Sequence, residues 1–383
     1  MTLINLPDAA NRYGIADLGD WAETLTRVIQ GAPNGTRDDP TIIRVPELYR
    51  AVSSIAPRRP DARHIHIICD KGAGFWWPTL GPGHDGTTDY IHEIMADPSL
   101  AAGYKKKYRT RFGLGPVGGH GWKYHGILKG PKVAGMPLRS PSGPGARNCL
   151  EAQHAFWGKD FGYDLTDAEI DAGVHGWDLC GVEISGWWGD AFSPGTTKPN
   201  ALPVREMHIY GGRFWDLGRI GILTSNVLGW SCRGAVFGER IPSSIIHSEP
   251  NGTRERRIGR GIFERNEIHS GANLFHITGQ VAIYDGLVIQ GNERFDSCIG
   301  GRIHAGDRME DGEARVRDIL VTDNLHHKIK DGHLLGDYVN CDNVYHQRNV
   351  GPLRKRWSYG QLLKQRGGQN VNLNPNSYTF VPR

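Results

Sequence analysis

Four asparagines, Asn266, Asn292, Asn324 and Asn349, recur at intervals of 26, 32 and 25 residues, and each closes a short run of strand-forming residues. The runs read "GIFERN", "LVIQGN", "ILVTDN" and "DNVYHQRN"; upstream, "GVEISG" and "MHIYGG" have the same shape with glycine at the end. A second set of runs lies between them: "DAFSPG", "IGILTS", "SIIHSEPN", "NLFHITG", "GRIHAGD" and "GHLLGD". A unit of two or three short strands every ~25–30 residues cannot bury an apolar face alone, so it must stack on its neighbours. The spacing predicts an all-β fold, a parallel β-helix solenoid with coils about 4.8 Å apart. Asparagine suits its corners because it tolerates left-handed backbone and can hydrogen-bond the asparagine above it. A sandwich or barrel would instead link strands by Asn-Gly or Asp-Gly hairpins at roughly 8–12-residue spacing, and that pattern is missing.

The repeats override the two or three domains that 383 residues would otherwise suggest. Residues 1–60 read as an N-terminal segment with a capping helix and the first strands. In "GDWAETLTRVIQGAP", Asp20 is the expected N-cap and Glu23 completes a capping box. Trp21, Leu25 and Val28 share one face, and Gly31 ends the helix. Residues 61–147 hold the first coils and a loop-rich insertion at about 75–125, residues 148–351 the regular coils, and residues 352–383 a basic tail with "PLRKRW".

Several classes are excluded. No run of ~18 apolar residues occurs, so membrane insertion is not expected. "MTLINLPDAANRYG" has no basic and no apolar signal region, so folding in a cytoplasm is expected unless a signal was removed. A net charge of +4 is too small to indicate nucleic acid. Cys69, Cys149, Cys180, Cys232, Cys298 and Cys341 are scattered without a C-x-x-C pair, so zinc is not expected and buried free thiols are. No cofactor or metal is called for.

Stacking the second strands by their apolar residues aligns Phe192, Ile222, Ile246, Phe275 and Ile303. Alternation then sends Ser193, Leu223, His247, His276 and His304 outward. That column is either a solvated polar ladder or a ligand-facing wall. Asp190 opens one strand and Glu249 follows His247 two coils later, which separates their backbones by roughly 9–10 Å. Paired carboxylates ~6.5–9.5 Å apart suit inverting glycoside hydrolysis. Arg219 lies on the coil between, where it can grip a carboxylate or an anionic sugar. The same three residues would also serve as a charge-balancing ladder between coils. Trp187, Trp188, Trp215 and Trp230 crowd the region; exposed, they would offer flat faces for sugar rings. Glu151 and His154, in "NCLEAQHAFWG", would extend the groove by one coil.

The ordered set "LEAQHAF", "WWGDAF", "GRIGIL" and "IIHSEPN" resembles right-handed parallel β-helix proteins of the pectate-lyase-like superfamily. It is most similar to a branch found in actinobacteria and their phages, with the pattern E-x-Q-H-G, G-D, G-R-Q-G-I and I-D-x-E-P-N. The resemblance covers roughly residues 20–350 and marks Glu151, His154, Asp190, Arg219, Glu249 and Asn251 as groove residues. Ile220 replaces the usual Gln, and His247 replaces an Asp, which removes one carboxylate from the cleft. Members are secreted polysaccharide hydrolases and lyases, or phage tailspikes and minor tail proteins, so the resemblance implies a host cell-surface glycan as partner. The phage reading adds other tail proteins, a homotrimer and a place on the virion. A structural virion β-helix without a ligand is the third alternative.

Overall fold

The structure is a computed structural model. It describes residues 1–12, 19–78, 111–115, 118–132, 153–158, 175–194, 203–249, 256–270, 273–279, 282–295, 300–305, 307, 309–328, 336–352, 363–366 and 378–381. Their strands form three sheets of 11, 11 and 9 members, here sheets A, B and C. Every strand pair is parallel, and within each sheet the order follows the chain. Three strands therefore make one coil, and each coil lies on the last. The chain is a right-handed parallel β-helix, as the stacking of short runs predicts.

The core fills the tube. In sheet A one inward column runs in register from Ile43 and Ile67 through Tyr124, Leu179 and Ile209 to Cys232, Phe263, Ile289 and Val321. All are buried in one continuous apolar cluster. The first end of the tube is covered by the helix Trp21–Gly31, which puts Ala22, Leu25, Val28 and Ile29 into that cluster. Asp20 caps the helix as expected, accepting from the Ala22 amide at 3.1 Å. Its carboxylate also takes the amides of Val52 and Ser53, which ties the cap to the coil below. Glu23 does not close a capping box; it pairs with Arg27 one turn on, at 2.8 Å. A shorter helix, Leu6–Arg12, precedes it and was not anticipated.

The corner between sheets A and B carries the asparagine ladder. Each side-chain oxygen accepts from the preceding coil: Asn292 from Asn266 Nδ2 at 3.0 Å, Asn324 from Asn292 at 2.9 Å, and Asn349 from Asn324 at 2.9 Å. The same oxygens accept the backbone N–H groups of Asn266, Asn292 and Asn324. The left-handed residue is not the asparagine but the one before it: Arg265, Gly291, Asp323 and Arg348, continuing Gly181, Gly211 and Gly234 below. That conformation turns the chain sharply enough for the next side chain to point into the tube, where all four asparagines are buried.

Two predicted boundaries are corrected. Within the segment expected to hold the first coils and the insertion, Gly74–Trp76, Arg111–Leu114, His120–His125 and Ile127–Lys129 are coil strands. The glycine-rich composition there serves tight corners, while Trp122 and Tyr124 face the core. Beyond residue 351, Leu363–Arg366 and Tyr378–Val381 extend sheets C and B, so coils continue into the expected tail.

Replacing Asn292 by Ala removes donors and an acceptor from the buried ladder and leaves backbone groups unsatisfied. We expect a loss of about 2–4 kcal/mol in urea unfolding. A second expectation concerns pH. Burial lowers the pKa of His346 from 6.5 to about 4 and that of His326 well below 6.5. Between about 4 and 6.5 the unfolded chain binds more protons than the folded one, so stability falls as pH drops through that window. Urea midpoints at pH 7 and pH 4.5 check this, and His346→Gln should flatten the slope by up to one proton.

Candidate functional site

The outer face of sheet C gathers the expected residues over neighbouring coils. Backbone bonds from Ala155 N to Asp190 O and from Ala191 N to Ile220 O fix the stacking of His154, Asp190 and Ile220. Gly218 permits the approach of the next coil, since a Cβ there would lie 2.2 Å from the Trp188 carbonyl oxygen. Arg219 follows immediately. Further along, Ile245 and Ile246 both enter the core, so simple alternation breaks before His247. Thr224 pins the end of this strand: its amide donates to the His247 carbonyl, and Ser248 Oγ donates back to the Thr224 carbonyl at 2.8 Å. Glu249 is the next residue out.

Arg219 joins the two carboxylates. Its Nε is 3.7 Å from Asp190 Oδ1, and its Nη2 is 3.7 Å from Glu249 Oε1. These two contacts are electrostatic and longer than hydrogen bonds, and through them the guanidinium bridges the two acids. A guanidinium edge spans only ~2–2.5 Å, which puts the two contacting oxygens no more than about 10 Å apart. His247 Nε2 stands 3.3 Å from Glu249 Oε1. His154 Nδ1 accepts the Asp190 amide at 3.0 Å and also lies 3.1 Å from Asp190 Oδ2. His154 holds the Asp190 backbone, and the Arg219 guanidinium faces its carboxylate.

Burial divides the cluster. Asp190 is 0% exposed and His154 1%, whereas the Glu249 and Arg219 side chains keep 29% and 24%. Ser193, Leu223 and His247, expected to face outward, are covered. The histidine column is real as far as His276: His247 and His276 are in register with ring centroids 4.7 Å apart. It then shifts. Phe275 pairs with Gly301, not Ile303, because a Cβ at residue 301 would lie 1.9 Å from the Phe275 ring. His304 is level with Thr278 and meets His276 diagonally, edge to face at 5.6 Å. Burial, and next the charges of His304 and Arg302, lower the His276 pKa to about 4.

The tryptophan platforms are corrected. Trp187 packs against Trp77 in the core and donates to the Leu128 carbonyl at 3.0 Å. Trp230 is buried with its N–H 3.3 Å from the Tyr284 hydroxyl. Trp188 lies outside the core cluster but is sealed, with Lys132 Nζ 5.2 Å from its ring centroid. None of these three offers a ring face to solvent; Trp215 keeps partial exposure, beside Arg213. Glu151 and Asn251 lie outside the described residues. A charge group that sequence reading missed sits nearby: Lys132 Nζ and Arg240 Nε meet Asp216 Oδ1 at 3.0 and 2.7 Å. Left-handed backbone at Asp216 and Arg240 presents both side chains, a feature no residue spacing signals.

No family model matches the chain, and no curated protein matches its sequence. Solved structures do resemble it. A family 28 exopolygalacturonase of Yersinia enterocolitica is 10% identical with a TM-score of 0.46, covering 100% of this chain and 78% of that one. The surface protein and adhesin PfbA of Streptococcus pneumoniae is 10% identical at 0.49, covering 100% and 99%. The Dettilon tailspike protein is 11% identical at 0.37, covering 95% and 68%. At such identity the likeness is one of fold.

The bridge itself is testable. A double-mutant cycle with Asp190→Asn and Arg219→Met should give a coupling of about 1–3 kcal/mol in thermal or urea unfolding. Additive effects would mean that Arg219 does not hold Asp190.

Proposed function

We propose that this β-helix is a phage tail protein that binds a host cell-envelope polysaccharide along the outer face of sheet C. The observation that carries the reading is Arg219 standing between Asp190 and Glu249, beside the His247–His276 stack. Partly exposed carboxylate, guanidinium and imidazole groups offer a sugar both hydrogen-bond donors and acceptors, and ring faces on which it can lie. In this reading Glu249 and Arg219 contact the glycan, with His247 packed behind Glu249, and His276 and His304 continue the surface. Asp190 and His154 set the position of Arg219 from below. The order of the four short motifs supports a glycan-binding β-helix; the phage assignment adds assembly in the host cytoplasm, contact with other tail proteins and a homotrimer.

Cleavage is the second reading: the Arg219 contacts bound the carboxylate separation at about 10 Å, a limit compatible with the spacing of inverting hydrolases. Glu249 would then activate water or protonate the leaving oxygen, with Asp190 as its partner. Since Asp190 is covered, that role requires it to become accessible on binding. A secreted polysaccharide hydrolase or lyase shares the same site residues.

The test is incubation of the protein with purified actinobacterial envelope polysaccharides, scoring retention and released oligosaccharides separately. Retention by the wild type, weakened about tenfold or more in Glu249→Gln, is the expected result. No retention on any fraction would sink the binding reading. Cleavage that survives both Asp190→Asn and Glu249→Gln would remove these acids from the chemistry. Light scattering that gives a monomer mass would overturn the trimer.

A further inference from the structure

The observed register of sheet C brings into the outward column a residue that alignment of apolar positions left out. His247 is level with His276, His276 with Arg302, and Arg302 with Asp337. The column thus spans four consecutive coils, about 14 Å, running C-terminally from the Glu249 site. Arg302 differs from Arg219 in how its charge is met. Its side-chain bond runs from Nε to His304 Nε2 at 3.3 Å, and among the described residues no carboxylate forms an ion pair with it. Asp337, on the next coil, has His304 Nε2 at 3.6 Å. His276 beside it is held neutral by burial, and its Nε2 is sealed from solvent without a hydrogen-bond partner. His304 keeps 38% of its side chain exposed, so the cluster reaches the surface.

A guanidinium stays charged at every working pH and presents its donors in a fixed fork that matches planar or tetrahedral oxyanions. We propose that Arg302, flanked by His276 and His304, is a subsite for an anionic substituent of the bound glycan: a carboxylate, sulfate or phosphate two coils from Glu249. The groove then carries the exchangeable Glu249 carboxylate at one end and the Arg302 guanidinium, with Asp337 on the coil beyond, at the other. That polarity sets both which charged glycan binds and in which direction it lies. The inference rests on the glycan reading above.

The experiment compares acidic envelope polysaccharides with the same material after carboxyl reduction, desulfation or dephosphorylation, each arm identifying one anion. Wild type should bind the native form about tenfold more tightly than its neutralised counterpart. Arg302→Gln should bring the ratio to about one by weakening the native form alone, while Arg302→Lys keeps part of the preference. Arg302→Lys, with its charge and stem retained, carries the comparison should Arg302→Gln not fold. Equal wild-type binding of native and neutralised forms overturns the subsite and leaves the glycan reading standing. A preference that persists in Arg302→Gln also overturns it. Absence of binding to either form by the wild type overturns both.

Discussion

Everything in this molecule follows from coils that register on one another without hairpins. Parallel strands cannot be joined by tight two-residue turns, so the chain must travel a full circuit before it pairs with itself. Nothing local fixes the vertical alignment of two successive coils. The asparagine ladder at the A–B corner does so. Each amide spans from one coil to the next, and its oxygen takes both a side-chain and a backbone N–H from the coil below. A slip of one residue would bury several unsatisfied polar groups at once, at a cost of about 1–3 kcal/mol each. Over the coils that carry it, from Ala235 to Asn349, the ladder is thus a register lock.

The site lies on coils before the ladder and depends on backbone stacking alone. Asp190, Arg219 and Glu249 lie far apart in sequence and belong to three successive coils, and only fixed stacking brings one guanidinium to both acids. The buried and exposed halves of the cluster have different work. Asp190 has little solvent to stabilise its charge, so the field of Arg219 and the surrounding dipoles must substitute for water. Glu249 retains water and can exchange it for a ligand. Placing the fixed acid inside and the exchangeable one outside orients Arg219 without occupying the surface a glycan would use.

Much of this was legible in the sequence, and the failures have physical causes. The asparagine and glycine spacing exposed the coil repeat because corners tolerate few residue types. The order of Asp190, Arg219 and His247–Glu249 located the cluster because parallel coils preserve chain order. The tryptophans misled because adjacent Trp187 and Trp188 each found burial, one in the tube and one beneath Lys132. Alternation gives the direction of a side chain but not what lies over it. The shift at His304 was hidden for a related reason. Aligning apolar residues assumes that large side chains stack on large ones, whereas the Phe275 ring fills the volume that Gly301 leaves free.

That same exchange of volume decides where chemistry can sit on this surface. A glycine above an aromatic moves the next strand by two residues, which keeps every inward side chain inward and every outward one outward. The core tolerates the change, yet the outward column changes identity, from a third histidine to Arg302. A solenoid can therefore alter the charge of its groove by one coil without disturbing its interior. The constraint that locks the fold, the ladder at one corner, leaves the opposite sheet free to vary its outward residues.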